Sequence, residues 1–234
     1  MRSNEIRLNE SIRLSKESYY SEECMVIKYN NEGNIEFAKT LNEKGTRTNE
    51  ISSIIQTQDG GYLLGGFFTG EKALKYNDKF EREWVANINE GNSSNGYKVT
   101  VTESNNGKYI IGQRYMKNKP NAGLYNNGGT DFAITQYNKE GEIEWSKGIG
   151  GEKNESISGI NITADGKYLV IGNFTSSEIE LDKGKKIINS SENSGTSGML
   201  LKIVNENGVP EVQEINVENN RKEYKITTDV KEID

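Results

Sequence analysis

Histidine is absent from this 234-residue chain, cysteine occurs once and proline twice. Without histidine there is no Ser-His-Asp or Cys-His nucleophile pair, and the commonest general base and metal ligand is missing. The single cysteine, Cys24, excludes an internal disulfide and a thiolate zinc site. With no histidine to activate it, Cys24 reads as a thiol at a strand edge. Long apolar runs are missing too. None approaches the ~18 residues of a membrane-spanning helix, so no membrane insertion is expected. The opening MRSNEIRLNE lacks the apolar core of a signal peptide. Lysine and arginine (29) are outnumbered by aspartate and glutamate (35), which disfavours nucleic acid as a partner. Mean hydropathy is −0.79, a value that with net charge points towards disorder. Against that, the apolar residues are strongly patterned, and the glycines sit at turn-like places rather than in runs.

What is present is a repeat. Four segments align: MVIKYNNEGNIEFAKTL from Met25, ALKYNDKFEREWVANI from Ala73, FAITQYNKEGEIEWSKGI from Phe132 and MLLKIVNENGVPEVQEI from Met199. Each is an alternating strand, a polar turn and a second strand carrying a large residue. Eight positions separate Tyr29 from Phe37, Tyr76 from Trp84, Tyr137 from Trp145 and Val204 from Val212. Constant spacing across a turn fixes hairpin register, because a one-residue slip turns every core side chain to the other face.

A second hairpin follows the first three: SSIIQTQDGGYLLGGFFTG, YKVTVTESNNGKYIIGQRY and GINITADGKYLVIGNFTS. Their turns are Asp59-Gly60, Asn106-Gly107 and Asp165-Gly166, which predict type I′ turns with positive φ at both central residues. Tyr62, Tyr109 and Tyr168 follow at one offset. Gly65, Gly112 and Gly172 come next and read as close packing in a crowded strand.

Each unit therefore holds four short antiparallel strands, with periods of 47, 61 and 67 residues from Tyr29 to Tyr76, Tyr137 and Val204 in turn. The expected units are 25–70, 71–115, 131–176 and an incomplete 198–234. Residues 1–24 read as the tail of an earlier unit, since Glu5-Ile6 and Leu8 align with Glu178-Ile179 and Leu181. Both ends lie inside a unit, so the chain reads as a piece of a longer repeat protein. The alternative is closure by pairing Ile6–Leu14 with Tyr224–Val230.

The pattern Asp-Gly-Gly-Tyr, apolar strand, Gly, insert, apolar-Lys-Tyr-Asn, turn, Gly-Asn-Ile-x-Phe/Trp resembles bacterial β-propeller repeats of the SBBP (delta-60-like) family. NITADGKYLVIG and ITQYNKEGEIEWSKGIGG are its best copies here. The resemblance covers nearly the whole chain and implies an all-β fold, a partial or small β-propeller of four-stranded antiparallel blades. It also implies a place in a large secreted or cell-surface bacterial protein. The insert between Phe68 and Ala73 departs from it by being nearly absent. Blades with two apolar faces stack on one another, and a closed ring removes free ends.

Candidate chemistry is sparse. Glu36, Glu142 and Glu144 flank first-hairpin turns and alternate with Ile35, Ile143 and Trp145, so they are expected to face outward rather than serve as paired carboxylates. The inserts YNNGGTD, ending in Asp131, and SSENSGTSG carry oxygen ligands that suit calcium, but without D-x-D-x-D-G spacing. No cofactor is otherwise expected. Trp84 and Trp145 share a slot with Phe37 and Val212, a position that wants bulk. The expectation is a non-enzymatic module, a structural or protein-interaction platform. The alternative is a carbohydrate-binding or sugar-active propeller, with Tyr19, Tyr115 and Tyr125 of the inserts as ligand-facing aromatics and a glycan rather than a protein as partner.

Overall fold

The computed structural model describes residues 5–15, 24–41, 49–68, 71–86, 98–118, 120, 123–189, 195–206, 209–214, 217–220 and 223–226. They form an all-β structure. Three antiparallel sheets have four strands each. The first runs β5 (Asn49–Gln56), β6 (Tyr62–Phe68), β7 (Glu71–Tyr76), β8 (Arg82–Ala86). The second runs β9 (Thr100–Glu103), β10 (Tyr109–Tyr115), β11 (Asp131–Tyr137), β12 (Ile143–Ile149). The third pairs β13 (Glu155–Ile162), β14 (Tyr168–Phe174), β17 (Ser197–Glu206) and β18 (Val209–Glu214) in that order. Ahead of them lies a two-stranded sheet, β3 (Cys24–Tyr29) with β4 (Ile35–Leu41).

The sheets are framed one hairpin later than the sequence boundaries. Residues 25–41 and 49–68, expected in one unit, belong to different sheets, and β6 pairs with β7 instead. The long inserts look like boundaries in the sequence, yet they bridge strands that pair. The insert between β14 and β17 does so by folding on itself, as β15 (Glu178–Glu180) against β16 (Lys186–Ile188). The same small hairpin occurs at the start, β1 (Glu5–Arg7) against β2 (Arg13–Ser15), with Ile6 opposite Leu14 as Ile179 is opposite Ile187. That match supports the alignment of the two regions. Tyr224 is paired within a local hairpin, β19 (Val217–Asn220) with β20 (Glu223–Ile226), and not with Ile6–Leu14. Residues 227–230 of the expected closing strand lie outside the described residues.

The turns also differ from expectation. Gly60, Gly107 and Gly166 have positive φ, but Asp59, Asn106 and Asp165 do not. Gly60 N–H donates to Thr57 O and Thr57 N–H to Gly61 O, each at 2.9 Å. This is a three-residue loop, a type I turn closed by a left-handed residue. Its first residue supplies the reason. Thr57, Ser104 and Thr163 hydroxyls bond Asp59, Asn106 and Asp165, which holds the aspartate or asparagine in the turn. The same loop closes the first hairpins, where Asn30, Asn77 and Asn138 side chains accept from backbone N–H groups across the turn. Gly33 and Gly141 take the left-handed place in two of these, and Phe80 takes it in the third at φ 59°. A phenylalanine there costs about 1–2 kcal/mol in backbone sterics. Its ring offsets that, buried against Phe37 and Tyr62 and stacked on Tyr76 at 4.4 Å.

Alternation along the strands sends neighbours to opposite faces. Leu63, Ala73 and Ala86 pack against Val99, just before β9, and against Val101, Tyr109 and Ile111 of the second sheet. Leu64, Phe68 and Leu74 pack against Val26 and Leu41 of β3 and β4. On the second sheet, Ile110, Phe132 and Ile134 meet Ile157, Val170 and Leu201 of the third. The sheets thus stack in series, with the first strands β5, β9 and β13 side by side.

Glycines set how closely they stack. A Cβ on Gly65 would lie 2.8 Å from Val101 Cγ1, and one on Gly112 would lie 2.4 Å from Ile157 Cδ1, both on the following sheet's first strand. Gly172 serves a different end, beside a bulge in β13 where a Cβ would strike Ser156 O at 2.4 Å. The residue of the third sheet three positions after its turn tyrosine is Ile171, and it is 49% exposed.

Phe80→Ala is expected to destabilise the chain by about 3–5 kcal/mol, from the lost ring, with the left-handed strain unchanged. Phe80→Gly should recover about 1 kcal/mol of this because glycine adopts positive φ freely. Urea unfolding of the two variants checks the order.

Candidate functional site

The first hairpins carry a bulge that alternation does not foresee. Lys75 faces Trp84 and Tyr76 faces Arg82, which leaves Glu83 unopposed. Glu36 and Glu144 are left the same way in their hairpins. A bulge re-aims the side chain. Glu36 pairs with Lys28 at 2.7 Å, Glu83 with Lys75 at 2.8 Å, and Glu144 accepts from Gln136 Nε2 at 2.7 Å. Glu36 and Glu144 are exposed, as alternation predicts, and each also binds the residue before the hairpin's tyrosine. Glu142 is exposed and accepts from Asn138.

The tyrosine after each glycine turn reaches back onto that residue in the preceding sheet. Lys28 is held above its ordinary pKa first by Glu36 and then by the Tyr62 hydroxyl. Tyr168 donates to Gln136 Oε1 at 2.6 Å in a buried bond. Tyr109 donates to Asp59 Oδ2 at 3.2 Å, with Lys75 Nζ 5.6 Å from the centre of its ring. Lys75 is 1% exposed and donates to Asp59, Glu83 and Tyr76 O. Burial pushes the Asp59 carboxyl up, but hydrogen bonds from Lys75, Thr57 and Gly61 outweigh it and hold the group well below the usual carboxylate range. All three donors of the ammonium are satisfied, so this is a closed cluster.

A second cluster is not closed. Asp131, first residue of β11, and Glu155, first residue of β13, are 0% and 1% exposed. Glu155 accepts from Gly151 N–H at 2.8 Å and from the Ser176 hydroxyl at 2.7 Å. Asp131 Oδ2 accepts from Asn127 N–H at 2.8 Å, while its buried Oδ1 has no donor among the described residues. Burial pushes Asp131 up to about 6, the Asn127 bond lowers it, and Glu155 raises it further. A buried carboxyl with one oxygen undonated and a second carboxyl as neighbour favours its protonated form.

The residues singled out beforehand do not come together. Tyr115 is not a ligand-facing aromatic: it is 2% exposed, packed with Leu124 and Ala133, and its hydroxyl donates to Tyr125 O. Tyr115 lies on the β10 face that the first sheet covers. Tyr125 is 61% exposed. Tyr19 lies outside the described residues, as does 190–194 of the second insert. Trp145 is buried and Trp84 stacks on Tyr137 at 5.9 Å, so both fill the core slot. Among the described residues no group of three metal-ligating side chains forms. None of their helices is long and apolar enough to cross a membrane. Glu155 escaped sequence reading, although its spacing from Ile157 puts it on a buried face.

No protein-family model matches the sequence, and no curated protein does.

Lys75→Met would leave Asp59 and Glu83 without their shared cation. Removing one partner of a buried pair costs about 3–5 kcal/mol; because both carboxylates are half-exposed, the expected loss is about 2 kcal/mol. A carboxyl depressed in the folded state contributes stability above its unfolded pKa of about 4 and loses it as pH falls. Wild-type stability should therefore drop on acidification below about pH 4, and the drop should flatten in Lys75→Met. Urea titrations at neutral and acid pH measure both effects.

Proposed function

We propose that the chain is a non-enzymatic repeat module of β-propeller type, a structural or protein-interaction platform within a larger secreted or surface protein of a bacterium. The observation that carries this reading is the serial stacking of four-stranded antiparallel sheets with their first strands side by side. That arrangement is the one a propeller extends around an axis. The repeated polar and aromatic residues join one sheet to the next, which leaves the inserts as the parts free to vary and to meet a partner. Met116 and Tyr125 of one insert and Ile188 of another are exposed apolar side chains that suit such contacts.

The carbohydrate reading keeps only Tyr125 among the described aromatics it invoked. A glycan array with immobilised chain, with Tyr125→Ala beside it, tests the choice. No saturable glycan binding is expected. Binding that is lost in Tyr125→Ala would replace the platform with a sugar-binding module.

A further inference from the structure

We propose that Asp131, packed beside Glu155, is a proton-holding latch, which keeps residues 123–130 of the insert fixed to the seam between the second and third sheets while its carboxyl is protonated and frees them when it ionises. The latch stands whatever the insert binds.

The backbone above the pair is a stitched seam. Gly129 and Thr130 N–H groups both donate to Lys153 O, at 2.8 and 3.0 Å, and Glu155 N–H donates to Thr130 O at 2.6 Å. Thr130 and Asn154 form a parallel bridge. The two carboxyls hang directly from this seam, at the first residue after the insert and the first residue of β13. Asp131 fills the space beside Gly150 so fully that a Cβ there would lie 2.0 Å from its carboxyl carbon. Asn127, inside the insert, donates its N–H to Asp131 and its side-chain amide to Gly150 O. Asp131 thus anchors the insert, and Glu155 is anchored in turn by Ser176 of the third sheet.

The titratable groups facing Asp131 are Glu155 from β13 and Tyr115 from β10. Those bonded to Glu155 are Ser176 and the Gly151 N–H, both neutral donors. A second negative charge in this place is buried and has no counter-charge among the described residues. The bound proton therefore stabilises the latched state. A group raised in the folded state keeps its stabilisation at low pH and loses it as pH rises through the folded value, here near 6. Above that, the ionised Asp131 moves to solvent and takes residues 123–130 with it, exposed Tyr125 among them. The chain has no histidine. The interval from about pH 5 to 7 is therefore empty of ordinary side-chain titrations, and an event inside it has few other sources.

Hydrogen exchange of the full chain at about pH 5 and about pH 8, corrected for intrinsic rates, tests the latch. Insert amides of 123–130 should lose about tenfold or more of their protection at the higher pH, with β6 amides unchanged. Asp131→Asn should keep the insert protected at both values, because an amide stays neutral. Glu155→Gln should do the same and decides the matter if Asp131→Asn does not fold. Wild-type protection that does not change with pH, or a wild-type pH response in the folded variants, would overturn the latch.

Discussion

A β-sheet with two apolar faces needs a neighbour on each side, and that requirement governs this chain. The inner strands β10 and β11 of the second sheet are covered on both faces. Ile110 and Ile111, adjacent on β10, go to different cores, as do Phe132 and Ala133 on β11. Apolar content is low because each core is thin and each side chain at the centre of the stack is used once. Closeness is then a matter of side-chain volume, which is why Gly65 and Gly112 lie where the following strand crosses.

Polar groups caught between such sheets must be answered locally, and the two seams differ in how this is done. At the first, Lys75 collects Asp59, Glu83 and a backbone carbonyl while Tyr109 closes over it. The cation is enclosed by its acceptors, and the Asp59 carboxyl is held well below the usual carboxylate range. At the second, the Lys75 position is Gln136, which bonds Tyr168 and Glu144 without a charge of its own. The acid pair at the edge of that seam has only neutral donors. One seam encloses a cation among its carboxylates, and the other encloses carboxyls with no cation among the described residues.

Much of this was legible in the residues. The hairpins, the Asp/Asn-Gly turns and the Phe/Trp slot follow from spacing, and the two core tryptophans lie where their shared slot predicts. The frame of the sheets was not legible. The inserts resemble linkers, and the short stretches 42–48 and 150–154 do not advertise in their residues that the strands on either side belong to different sheets. Alternation placed Glu36 and Glu144 on the exposed side, as they are, but not the bulge that turns each onto a neighbour. Tyr115 looked like loop and is core, because β10 runs to it. Asp131 drew notice only as an oxygen ligand; its partner is 24 positions on, and only the fold brings them together.

Ile171 gives the stack a direction. The first two sheets carry glycine where it sits, and each accepts a neighbour's first strand against that glycine. The third sheet has a four-carbon side chain standing in the same place. The three four-stranded sheets, alike as they look, are therefore not interchangeable. A recombinant that moved the third sheet into the middle would collide with the strand meant to follow it, whereas a copy of the second placed last would leave a shallow notch.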